Sequence, residues 1–80
     1  MEKKEISLSS ISENNKCKIL YVKGDLHLKR RLLELGFVKN TEIIIKNISP
    51  LKNSFLLEIR GYIIALRKNA VKNIIVEVVS

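Results

Sequence analysis

The chain is poor in the residues that most chemistry needs. Its 80 residues include one cysteine, Cys17, one histidine, His27, one aspartate, Asp25, one proline, Pro50, and no tryptophan. A single cysteine excludes an internal disulfide framework and any cysteine-based zinc cluster. A domain this small without disulfides suits a reducing compartment. Cys17 sits among apolar neighbours and reads as a buried, inert thiol. Asp25 and His27 are two residues apart near a helix start, so they do not share a helical face. A ferrous site needs several histidines and carboxylates converging on one point, so no metal ligand and no cofactor is assigned. The three glycines, Gly24, Gly36 and Gly61, all fall at turns, and none builds a phosphate-binding loop. No nucleophile has an evident base and no carboxylates are paired, so no catalytic residue is assigned and no enzyme is expected.

Long apolar runs are also missing. Runs such as residues 43–45 and 74–76 fall far short of the ~20 residues that span a bilayer. The charged start, Met1-Glu2-Lys3-Lys4-Glu5, leads into no apolar segment, so no signal peptide is expected. A cytoplasmic location follows as the expectation.

What the chain does have is aliphatic residues and positive charge. Hydrophobic residues make up 46% of it, a composition that folds. Its length fits one small domain, residues 1–80, that buries ~60–65% of its unfolded surface. Fifteen Lys and Arg against eight Asp and Glu give a net charge of +7. The charge is spread along the chain, with no basic run longer than Lys29-Arg30-Arg31. It implies either an acidic partner or a lysine-rich solubility coat.

Along the chain, residues 5–8 read as a short opening strand and Ser12-Glu13-Asn14-Asn15 as a polar turn. Residues 16–22 read as a strand. Gly24-Asp25 breaks it, with Asp25 suited to cap a helix over residues 26–35 and Gly36 suited to close that helix in a left-handed conformation. Strands are expected at 41–47, 54–60, 62–66 and 74–79, with a short helical turn at 68–72. The fold class is therefore mainly β: five to six short strands and one helix in a small closed or nearly closed barrel. Closure would hide the edges that a flat sheet leaves open.

Residues 28–45 switch from helical to strand periodicity at Gly36, just after a pair of arginines. Residues 60–70, Arg-Gly-Tyr-Ile-Ile-Ala-Leu-Arg-Lys-Asn-Ala, form a second fragment, and Ser49-Pro50-Leu51 makes a turn between them. This ordered combination resembles the FeoA family, small cytosolic accessory proteins of bacterial ferrous-iron uptake, from about Leu8 to Val78. The resemblance implies an SH3-like barrel. It also implies a membrane ferrous-iron transporter (FeoB-like) as partner, met at its cytosolic G-protein region, with recruitment to the inner face of the plasma membrane. The residues that match the family pattern are Arg31, Leu32, Leu35, Gly36, Pro50, Leu51, Leu66 and Arg67, and most of them read as architectural. Two turns depart from the pattern. Lys39-Asn40 stands where Pro-Gly is usual, and Asn tolerates the left-handed φ needed there. Pro50-Leu51-Lys52-Asn53-Ser54 replaces Pro-Leu-Gly-Asp-Pro.

The helix carries two apolar sides. At roughly 100° per residue, Leu28, Leu32 and Leu35 fall together, and Leu26 and Leu33 fall on another side, flanked by Lys29 and Arg30. One reading is a single wide buried face. The other is an exposed apolar spot ringed by basic residues, the pattern of a protein-docking site. On that second reading Leu26, Lys29, Arg30 and Leu33 are the partner-binding residues. A nucleic-acid-binding barrel is the alternative from charge alone, but single-strand binders stack bases on aromatic platforms. Only Tyr21, Phe37, Phe55 and Tyr62 are available, and they form no interleaved motif. The second alternative is a stand-alone relative of the SH3-like domain of metal-dependent repressors, since the chain has no room for a DNA-reading helix-turn-helix.

Overall fold

The computed structural model describes residues 5–79; the charged start at residues 1–4 and Ser80 lie outside it. Six strands form one antiparallel sheet: β1 (Ile6–Ser7), β2 (Lys16–Val22), β3 (Glu42–Ile48), β4 (Ser54–Ile59), β5 (Tyr62–Arg67) and β6 (Ile74–Val78). Their spatial order is β1-β6-β2-β3-β4-β5. Helix α1 (Leu26–Glu34) joins β2 to β3, and a single turn, α2 (Lys68–Val71), joins β5 to β6. A 3-10 turn at Leu8–Ser10 follows β1; nothing in the sequence reading anticipated it.

Alternation along the strands explains the core. Phe55, Leu57 and Ile59 of β4 are buried, and so are Ile43 and Ile45 of β3 and Ile74 and Val76 of β6. Leu32 of α1 and Phe37 just beyond it join the same cluster. Two bulges interrupt the alternation. In β2, Ile19 pairs with Val76 but Tyr21 pairs with Ile75, so Leu20 is an extra residue. Such an insertion turns the following side chains to opposite faces. Tyr21 accordingly faces water, and Val22 packs on the core. In β3 the register shifts in the same way between Ile45 and Asn47.

The helix ends follow from two residues. The Asp25 carboxylate accepts the N–H of Leu28 at 2.8 Å, a cap that contributes about 1 kcal/mol. At the other end Gly36 has φ +102°, its N–H bonds to the carbonyl of Leu33, and the N–H of Phe37 bonds to that of Leu32. This pair of bonds is a Schellman closure, and it needs a residue free to take positive φ. Asn40 has φ +71°, so the turn that lacks Pro-Gly keeps its shape.

The β4–β5 turn is two residues long, with Arg60 at φ +50° and Gly61 at φ +87°. Two successive positive values match a type I′ hairpin. The sheet does not close on itself among the described residues: β1 pairs only with β6, and β5 only with β4. The barrel is therefore nearly closed, with an open edge along β5.

Candidate functional site

The helix α1 does not bury a wide face. Leu32 is 1% exposed, whereas Leu26 is 68% and Leu33 52% exposed. Leu28 and Leu35 are half-buried and pack against the core. The reading of one wide buried face is thus corrected. The core takes the Leu28–Leu32–Leu35 stripe, and the opposite side of the helix remains in water because no strand of this short sheet reaches around it.

Lys29 and Leu33 line a cleft of about 230 Å³ together with Leu20, Tyr21, Val22, Phe37 and Lys39. Leu20 is the bulge residue, and the bulge brings Tyr21 to this surface. Among the described residues the ion pairs are Lys16–Glu42 at 3.8 Å and Lys46–Glu58 at 3.5 Å. Lys29 and Lys39 are in neither. The structure does not bring all four candidate residues into this cleft. Leu26, at the first turn of the helix, does not line it, and Arg30 lines a separate depression with His27, Arg31 and Glu34. Sequence reasoning missed Tyr21 and Lys39. Regular alternation after Cys17 and Ile19 would have turned Tyr21 inward, and only the pairing of β2 with β6 reveals the bulge.

Tyr21 is anchored on this surface. Its hydroxyl donates to a Glu5 carboxylate oxygen at 2.9 Å. That hydrogen bond, with lesser help from desolvation and from the charge of Glu5, raises its pKa above the ordinary tyrosine value. Holding the ring in one orientation lowers the entropy lost when a partner packs on it.

The other matching residues are distributed around the fold. Leu66 is half-buried on the core, and Arg31 and Arg67 are exposed. Pro50 is exposed and Leu51, at 84%, protrudes from the β3–β4 loop. Ser49 organises this loop: its hydroxyl oxygen accepts the N–H groups of Asn53 and Ser54, both at 3.1 Å. Lys52 adopts φ +59° at the position where the expected pattern has glycine. A cleft of about 700 Å³ lies between this loop and the Ser9–Asn14 segment, with no contribution from α1. Cys17 is fully buried, and burial raises its thiol pKa. Among the described residues no group of three or more His, Cys, Asp or Glu lies together. No helix there is long and apolar enough to cross a membrane.

The FeoA domain pattern matches residues 6–78. The chain belongs to the FeoA family. A FeoA-like protein from Clostridium acetobutylicum is 32% identical, with a TM-score of 0.89, covering all of this chain and 92% of its own. The FeoA of Stenotrophomonas maltophilia, solved in complex with zinc and described as a prokaryotic SH3 domain protein, is 30% identical. Its TM-score is 0.78, and the match covers 90% of this chain and 89% of that one. A manganese-dependent transcriptional repressor matches at TM-score 0.89 and 12% identity, over 99% of this chain and 39% of its own; that likeness shows the fold alone. No curated protein sequence matches significantly. The fold is thus the SH3-like barrel of FeoA proteins.

Proposed function

We propose that this FeoA-family chain is a non-catalytic accessory protein of ferrous-iron uptake. In this reading it docks on the cytosolic G-protein region of the membrane ferrous-iron transporter through the outer side of α1. Family membership supports the process, and the Stenotrophomonas maltophilia relative is itself described as a candidate ferrous iron transport activating factor. The observation that carries the surface is Leu33, half exposed in a cleft that Tyr21, Lys29 and Lys39 also line. A partly desolvated leucine next to an anchored aromatic, with basic residues at the rim, matches the anatomy of a protein interface. It does not match a nucleic-acid groove, which would show a larger basic stripe with stacked aromatics.

The apolar and charged groups should act on different rate constants. A leucine desolvated in the complex mainly affects dissociation, whereas rim charges mainly affect association and its salt dependence. Surface-immobilised G-protein region of the transporter, probed by this protein, separates the two. Leu33→Ser should shorten the complex lifetime with the fold intact. Lys29→Glu with Arg30→Glu should slow association, most visibly at low salt. Wild-type binding by both variants, together with wild-type iron uptake, would move the docking site elsewhere on the barrel.

A further inference from the structure

The open edge of the sheet is a second surface, separate from the outer side of α1. Strand β5 is six residues long and pairs with β4 without a register shift. It contains no proline and no bulge, and the one charged side chain along it is Arg67 at its end. The two-residue turn sets which of its backbone groups are used. Ile59 and Tyr62 flank the turn, and pairs in an antiparallel ladder alternate between bonded and non-bonded. The N–H and C=O groups of Ile63 and Ala65, which face Glu58 and Leu56, therefore point away from β4. Among the described residues no other element bonds to them. Ile63 is 53% exposed, and with Leu56 and Ala65 it lines the outer face of this hairpin, which also carries Glu58 in its ion pair with Lys46.

A groove of about 530 Å³ runs beside this edge, with Leu28 and Leu32 of α1 on one side and Leu66 and Ala70 on the other. Arg31 and Arg67 line it, and neither is in an ion pair among the described residues. The one acidic residue there, Asp25, has a carboxylate oxygen occupied by the N–H of Leu28. We propose that this groove binds an extended, acidic segment of a partner protein, which adds to β5 as a seventh strand. Its backbone bonds to Ile63 and Ala65, alternate aliphatic side chains enter the groove, and its carboxylates meet Arg31 and Arg67. Strand addition of this kind takes affinity from main-chain bonds and specificity from alternate side chains. Charge decides the occupant: a second copy would bring another net +7 and another Arg67 to the same edge.

The proposal holds whether or not the transporter binds α1, and its test uses different residues. The probe is the acetylated, amidated hexapeptide Glu-Val-Glu-Val-Glu-Val, titrated into isotopically labelled protein at low salt and followed by amide NMR. The amides of Ile63 and Ala65 should shift saturably and exchange more slowly with solvent. Arg31→Glu with Arg67→Glu should weaken binding by about tenfold or more, and Leu33→Ser should leave it unchanged. A Lys-Val repeat and a proline-interrupted acidic peptide should not bind. Should the double variant fail to fold, those two peptides on the wild-type protein still decide the matter. Absence of saturable shifts at Ile63 and Ala65, or equal binding of the Lys-Val peptide, would overturn the proposal. So would shifts at those amides that depend on protein concentration without peptide, since the occupant would then be a second copy.

Discussion

Leu32 and Leu33 are adjacent in sequence and differ in almost everything else, which makes them a sharp test of how α1 sits on the barrel. Leu32 is 1% exposed and belongs to the core cluster; Leu33 is 52% exposed. Truncating a fully buried leucine removes its transfer free energy and leaves a cavity, a loss of about 2–5 kcal/mol. Small domains have only about 5–15 kcal/mol of stability in total. With a loss near ~3 kcal/mol, Leu32→Ala should lower Tm by roughly 12–24 °C for a domain of this size. Leu33→Ala removes a side chain already half in water and places the best helix former on a helix surface. Its net cost should be about 1 kcal/mol or less. The backbone carbonyls of both residues accept the closing bonds from Gly36 and Phe37, and alanine keeps those bonds, so side-chain packing is what the comparison reads. Urea unfolding of the two variants, with a check that the slope is unchanged, gives both numbers. Equal losses for the two variants would refute the assigned face. A loss below about half a kcal/mol for Leu32→Ala would do the same, given the magnitude expected of a buried leucine.

Three further outcomes follow from particular contacts. Lys52 holds φ +59°, a conformation that costs a β-carbon-bearing residue roughly 1 kcal/mol, so Lys52→Gly should raise stability by about 0.5–1 kcal/mol in the same urea assay. Tyr21 keeps its proton more tightly when folded, chiefly through the bond to Glu5. That contribution is present below the ordinary tyrosine pKa and is lost as pH rises through the raised one. Ultraviolet titration of Tyr21 against a Glu5→Gln variant should therefore show the midpoint falling back toward the ordinary value. Anaerobic calorimetry with ferrous iron and with zinc should show no stoichiometric sub-micromolar site, because the described residues bring no three metal-ligating side chains together. Tight binding abolished by changing Cys17 or His27 would contradict this.

Local features of the fold were legible because single residues encode them. The range of β2, the Asp25 cap, the Gly36 closure and the left-handed Asn40 each rest on local chemistry, and each appears as expected. The helix ends at Glu34, one residue short of the expected span, with Leu35 as its cap. Long-range features were not legible. Periodicity along β2 cannot show the bulge at Leu20, because a bulge is defined only against the partner strand; Tyr21 was lost from the docking surface for that reason. The open β5 edge is likewise a property of six strands together, and alternation within β5 says nothing of what lies beside it. The helix showed two apolar sides in the sequence, but whether the sheet would wrap both depended on its curvature. The α1 surface was therefore half visible: Lys29 and Leu33 were named, while Tyr21, Val22 and Lys39 required the pairing of β2 with its neighbours.

The most direct test of the docking surface is an amide NMR map of the labelled protein as the transporter's cytosolic G-protein region is added. Perturbed amides should cluster at Lys29, Leu33, Tyr21 and Lys39, and the same titration with Leu33→Ser should lose most of the effect. Perturbations confined to the Pro50–Ser54 loop or to β5, with the α1 surface unchanged, would contradict the account.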